Sequence, residues 1–112
     1  MLEIQLSARA DQDLKDIWRG LAEYRLELAD KKIRRIVQKF ELLSQFPLAG
    51  RPRNEILPNL RSIPVDSLLV LYQVVPKDDR TIVEIVRVTD GRRDLNRLFS
   101  SDDEELPDSE EG

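Results

Sequence analysis

The hydrophobic period of the chain changes near residue 47, and that change restricts the fold more than any other feature. Before it, Ala10, Leu14, Ile17, Trp18 and Leu21 step by four, three, one and three. Ala29, Ile33, Ile36, Val37, Phe40 and Leu43 follow at helical spacing again. Each set marks one face of an amphipathic helix. The spacing predicts a first helix over about 8–25, with Ser7 as N-cap, and a second from about residue 28 that Pro47 stops. With so little chain between them, the two form an antiparallel hairpin.

After residue 47 the reading is β. PLAGRPR is a loop by its Pro and Gly content. LRSIPV is a short edge strand, because Pro64 lacks a backbone donor. SLLVLYQVV is continuously apolar, as a strand covered on both faces requires. PKDDR is a turn, TIVEIVRV the next strand, and TDGRRDLNRLF a turn followed by one or two helical turns ending near Ser100. EIQLS adds a first strand, with Ile4 and Leu6 on one face. The order β-α-α-β-β-β describes an α+β domain, in which a helical hairpin packs on a mainly antiparallel four-stranded sheet and a short helical segment closes the chain.

Charge divides the chain at about the same place as the fold ends. Of the 22 acidic residues, seven lie in SDDEELPDSEEG, which holds no base; the remaining fifteen face all 18 basic residues, a net of +3 over residues 1–100. The sequence therefore joins a mildly basic domain, residues 1–100, to an acidic tail, residues 101–112, whose composition reads as disordered. The plain function of such a tail is solubility; a regulatory one is transient cover of the basic surface. No run of about 18 apolar residues is present, and the start shows no basic stretch leading into an apolar block, so neither a membrane span nor a signal peptide is read.

The chain has neither cysteine nor histidine. Disulfides, thiolate metal sites and thiol nucleophiles are excluded, and the commonest general base and metal ligand near neutral pH is absent. No metal or cofactor is expected. The lack of cysteine fits a cytoplasmic protein.

Four stretches taken together, SARADQDLKDIW, FPLAGRPRNEI, LRSIPVDSLLVLYQV and VRVTDGRRDLNRLF, resemble the toxins of the ParE/RelE superfamily of type II toxin–antitoxin modules. The likeness spans residues 2–99 and is closer to the ParE branch, where a strand ending in Arg-Val leads through a His-Gly turn to Arg-Asp-Leu. Here Asp90 stands at the His position before Gly91.

The resemblance implies one of two activities. RelE-like members cleave mRNA on the ribosome, which demands a base for the 2′-hydroxyl, an acid for the leaving oxygen and cations for the phosphorane. Against that pattern Leu69 replaces an arginine and Phe99 a tyrosine, while Arg61 and Ile63 replace a lysine pair; only Arg93 falls where a RelE-like arginine would. Arginine stays protonated and is a poor general base. ParE-like members poison DNA gyrase by binding, and this chain looks more like them: a non-enzymatic gyrase inhibitor that blocks replication. The alternatives are the ribosome-dependent endoribonuclease and an inactive member that only forms a complex. The resemblance also implies a cognate antitoxin encoded by a neighbouring gene, and promoter DNA bound only through that antitoxin.

Candidate contacts for target or antitoxin are Arg61, Arg87, Arg92, Arg93 and Arg97, and candidate apolar docking residues are Leu21, Tyr24 and Leu28. Each has a plainer reading. Arg87 fits an ion pair with Glu84 or a loop carboxylate. Arg92 and Arg93 fit a solvated helix start after a positive-φ Gly91, with Asp90 or Asp94 offsetting the macrodipole. Arg97 fits a pair with Asp94 one turn away. Arg51 and Arg53 read as braces for loop carbonyls, Trp18 and Tyr72 as core, and DKKIRRI as a solvated helix face.

Overall fold

The computed structural model describes residues 1–100. The acidic tail, residues 101–112, lies outside the described residues. The elements are β1 (Glu3–Leu6), α1 (Ala8–Ala22), α2 (Leu26–Gln45), β2 (Arg51–Pro52), β3 (Leu60–Val65), β4 (Leu68–Lys77), β5 (Arg80–Asp90) and α3 (Leu95–Ser100). They form the expected α+β arrangement. The sheet has five strands rather than four, in the order β1-β5-β4-β3-β2. The additional strand is the two-residue β2 in the loop after α2, which pairs with Arg61 and Ser62 of β3. β3 is therefore covered at one end and open along Pro64, where a missing donor costs nothing.

β1 runs parallel to β5 and every other pairing is antiparallel. A parallel partner requires a crossover, and the helical hairpin provides it. Ser7 makes the corner. Its N–H donates to Ile85 O at 2.9 Å, its hydroxyl donates to Val86 O at 2.8 Å, and the same oxygen accepts the N–H of Ala10 at 3.0 Å as the N-cap of α1. At the other end of the hairpin, Leu2 N–H donates to Ser44 O at 2.9 Å, tying the start of β1 to the end of α2.

The two β-hairpin turns are two residues long, and Asp66 and Asp78 adopt φ of 56° in them, as the twist of the flanking strands demands. Between β4 and β5 the register slips: Leu71 faces Arg87 and Tyr72 faces Ile85, so Val86 is an extra residue. This bulge puts Val83, Ile85 and Val88 on the same side of the sheet, which strict alternation along TIVEIVRV forbids.

Both sheet faces are buried. Toward α1 and α2 the core contains Ala10, Ile36, Phe40, Leu43, Val70, Tyr72, Val83 and Ile85. The opposite face carries a smaller cluster of Leu60, Leu69, Leu71, Leu95 and Leu98, so α3 is a lid on the second face. Ile4 packs on the main core, but Leu6 is 41% exposed, because the chain turns away into α1 directly after it. Trp18 is at the rim, 36% exposed, and its indole N–H donates to Asp30 at 3.0 Å.

Candidate functional site

The structure separates the five candidate arginines into three environments. Arg87 is buried at 6% exposure, and its guanidinium donates to both carboxylate oxygens of Asp13 on α1, at 2.8 and 3.1 Å. Asp13 also accepts the N–H of Val88 at 2.9 Å. The cause is topological. β1 covers β5 only as far as Ile85, and the carboxylate of α1 takes over the exposed ladder beyond it. The expected partner Glu84 is not the one used, and burial removes Arg87 from the surface offered to another protein.

Arg61 turns toward the loop after α2. Its guanidinium donates to Gly50 O at 2.8 Å and Leu48 O at 3.2 Å. Bracing loop carbonyls was the role expected of Arg51 and Arg53, and Arg61 performs it instead. Arg53 donates to Ser62 Oγ at 3.0 Å and pairs with Glu55 at 3.6 Å. The loop has a second anchor in Tyr72, whose hydroxyl donates to Pro47 O and accepts the N–H of Gly50, both at 2.8 Å. Burial pushes the Tyr72 hydroxyl upward from its ordinary pKa, so it stays a neutral tether. Gly50 is obligatory there, because a Cβ would lie 2.5 Å from the Tyr72 hydroxyl.

Arg92, Arg93 and Arg97 are the exposed members. Arg92 chelates Asp90 through its side chain at 3.1 and 3.2 Å and its N–H at 2.8 Å. Those bonds hold the Asp90 carboxyl well below the usual range, at about 2. Asp94 accepts the N–H of Asn96 at 3.1 Å and so caps α3. Gly91 has no positive φ. What it requires is space, since a Cβ would approach Ser67 O at 3.2 Å where the Gly91 N–H donates to the same oxygen at 2.9 Å.

The apolar candidates are also divided. Leu21 and Leu28 line one cleft of about 390 Å³ with Lys31, Lys32, Arg35 and Asp66. Tyr24 is outside that lining, on the turn between the helices, and is 83% exposed. Asp66 was not singled out by the sequence. It binds Arg35 at 2.7 and 3.0 Å and Lys32 at 2.7 Å, and these bonds, Arg35 first, lower its carboxyl to about 2. The basic run on α2 thus has a fixed partner in the β3–β4 turn. Its signal in the sequence was the hairpin turn itself, which puts an αL aspartate at the sheet edge nearest the helix.

Leu69 and Phe99 decide the nature of the remaining face. Leu69 belongs to the cluster under α3, and Phe99 packs against that same cluster. No group of three or more acidic side chains fit to hold a metal occurs among the described residues.

The sequence matches the family described as "ParE toxin of type II toxin-antitoxin system, parDE" over residues 4–95. The chain belongs to the ParE toxin family. Toxin ParE3 of Caulobacter vibrioides is 36% identical over 84 residues, covering 74% of this chain and 80% of that protein. Two solved structures share the fold. The chromosomal ParDE toxin–antitoxin system from P. aeruginosa superposes with a TM-score of 0.66 at 22% identity, over 80% of this chain and 96% of that one. The RelBE2 toxin–antitoxin complex of Mycobacterium tuberculosis gives 0.53 at 24% identity, with the same coverages. This ParE family member is thus the toxin component of a type II toxin–antitoxin system. No helix among its described residues is long and apolar enough to cross a membrane.

Proposed function

We propose that this ParE-type toxin acts in the cytoplasm by binding rather than by catalysis, that it inhibits DNA gyrase and so blocks replication, and that a cognate antitoxin encoded beside it neutralises it by direct contact. One observation carries the choice between gyrase poison and ribonuclease. The two positions at which the ribonuclease pattern has an arginine and a tyrosine hold Leu69 and Phe99, and both pack in the apolar cluster beneath α3. A site for in-line attack on a phosphodiester needs polar groups converging on a water-accessible pocket. Here aliphatic packing occupies that place, and the nearby cations Arg92, Arg93 and Arg97 are arginines, which hold their protons.

Binding supplies what catalysis does not. Arg92 and Arg93 project from an exposed turn that is fixed by the β5 end, the Asp90 chelate and the lid helix. Arg93 and Arg97, exposed beside the Arg92–Asp90 pair, suit contact with an acidic protein surface or a protein-bound nucleic-acid backbone. Promoter DNA is reached only through the antitoxin.

The test is a supercoiling and cleavage assay with purified gyrase. Loss of supercoiling with trapped cleaved DNA supports the reading. Unaffected gyrase, with mRNA cut in a ribosome-dependent translation mixture, replaces it with the ribonuclease. Inertness in both assays and no growth defect on induction identify a member that only forms the complex.

A further inference from the structure

One flank of α1 carries both charge signs in a fixed order around an apolar centre. Asp11 is in the first turn and Arg19 in the last, with Leu14, Lys15 and Trp18 between them. Steps of three, one, three and one keep these five residues on one side of the helix. Asp13 is on another side, bound to Arg87 of the sheet. Together with Ile33 of α2 the five line a cleft of about 470 Å³. Its centre is apolar, with Leu14 and Ile33 half-buried and Trp18 36% exposed. Val37, one turn beyond Ile33 on α2, is exposed as well. The charges around it nearly cancel. Lys15 binds Asp11 at 3.0 Å, Arg19 binds Asp16 at 3.7 Å, and the Trp18 indole donates to Asp30 at 3.0 Å. The paired side chains of α1 are all more than half exposed, so these pairs change partners readily.

We infer that a second copy of this chain docks on this flank, with α1 antiparallel to α1 across a two-fold axis beside Lys15. A two-fold contact uses the same patch on both copies, so the patch must complement itself. This one does. Asp11 and Arg19 are each four residues from Lys15, so the axis exchanges them and each copy's carboxylate meets the other's guanidinium twice over. The same axis brings Leu14 within about 3 Å, measured along the helix, of the other copy's Trp18, two residues of offset at 1.5 Å each. Lys15 lies at the axis, but its own Asp11 already holds it, so two bare cations do not face each other. The helix dipoles also oppose in this pairing. Charge disfavours the other occupants. Three carboxylates, Asp11, Asp16 and Asp30, stand around the cleft against two cations, so a nucleic-acid backbone finds no excess positive charge and an acidic segment none either. The fifteen residues of α1 span roughly 22 Å, and two helices about 20 Å across give a footprint of roughly 440 Å² per copy. That is the size of a transient contact, with dissociation in the micromolar range. Trp18 at its centre is the anchor.

The pairing needs neither gyrase nor antitoxin, so its test uses the full-length chain alone. Sedimentation velocity over about 1–200 μM reads the mass, a range set by the transient size of the contact. Trp18 is the chain's only tryptophan, so its emission reports the interface directly. We expect the mass to rise from one copy toward two across that range and the emission to shift to the blue with it. The charge reversals D11R and R19D each weaken dimerisation about tenfold or more, because each places like charges across the axis. The double variant D11R/R19D restores it to within about threefold of the parent, since the exchanged pair still meets. Far-ultraviolet circular dichroism checks that each variant keeps its helices. A chain that stays a single copy throughout overturns the proposal. So does a dimer indifferent to D11R and R19D, which has its contact elsewhere, and so does a loss in both single variants that the folded double variant fails to repair. A single-copy chain whose Trp18 emission shifts only when duplex DNA or the product of the neighbouring gene is added assigns the cleft to that ligand and overturns the dimer too.

Discussion

Asp13 and Arg87, 74 residues apart in sequence, form a two-bond ion pair at 2.8 and 3.1 Å that closes α1 onto the end of β5. The pair is almost wholly removed from solvent, with the two side chains 12% and 8% exposed. Breaking such a pair from one side leaves an uncompensated buried charge, at a cost of about 3–5 kcal/mol. D13A is therefore expected to lower unfolding free energy by about 3 kcal/mol or more in urea titrations. The double variant D13A/R87M recovers part of that loss, since it removes the buried guanidinium that has lost Asp13, while Val88 still lacks its acceptor. A D13A protein as stable as the parent contradicts this account.

Tyr72 and Gly50 make a second test. Y72F strands the Gly50 N–H and Pro47 carbonyl, at a cost of about 1–3 kcal/mol, and loosens the loop that Arg61 also braces. G50A is worse. Removing the hydroxyl does not rescue it, because the inserted Cβ still meets the Tyr72 ring at 2.6 Å and Ser62 O at 2.9 Å. Thermal melts of Y72F, G50A and Y72F/G50A decide the point: a double variant no less stable than Y72F refutes the packing argument.

Acid stability follows Asp66 and Asp90. Both carboxyls are depressed in the folded protein from an ordinary 3.8 to about 2, Asp66 by Arg35 and then Lys32, Asp90 by Arg92. The unfolded chain therefore binds protons first as pH falls. The stabilisation is present in full above about 4 and is lost as pH drops through 3.8 toward 2. Both sites are solvent-exposed, so the effect shrinks in high salt. Carboxyl carbon NMR titration is expected to find Asp66 near 2 in the parent and shifted upward in R35A. An Asp66 midpoint unmoved by R35A rules out the guanidinium as its cause.

Leu69 tests the apolar lid face. L69R inserts the arginine of the ribonuclease pattern into the cluster of Leu60, Leu71, Leu95 and Leu98. Burying that charge is expected to cost about 2 kcal/mol or more and to release α3, read as faster amide exchange over residues 95–99. F99Y, in contrast, is tolerated, since Phe99 is only partly buried. Neither variant, nor the two combined, is expected to cleave RNA. Ribosome-dependent cleavage by L69R/F99Y, absent in the parent, would return the fold to the nuclease reading.

Local elements were legible because they depend on neighbours in the chain. The apolar spacing from Ala10 to Leu21 and from Ala29 to Leu43 determined both helices, Ser7 the first cap, Pro47 the end of α2, and PKDDR the β4–β5 turn. Family membership was legible for a related reason, since it depends on the order of such motifs along the chain. The candidate site was less so. Five arginines were visible as one set, but identity and spacing do not say where a long side chain ends.

Only the tertiary structure decided which charges are available to a partner. It placed Asp13 over the uncovered end of β5 and thereby buried Arg87, and it turned Arg61 into the loop. It also slipped β5 by one residue at Val86, which a pattern of period two cannot announce. Asp66 became the partner of Lys32 and Arg35 because a two-residue turn at the far end of a sheet meets the middle of a helix more than thirty residues earlier. Hydrophobic periodicity is a property of residues a few positions apart, so one chain records it completely. An ion pair is a property of two points in space, and the packing of the hairpin on the sheet determines which points meet.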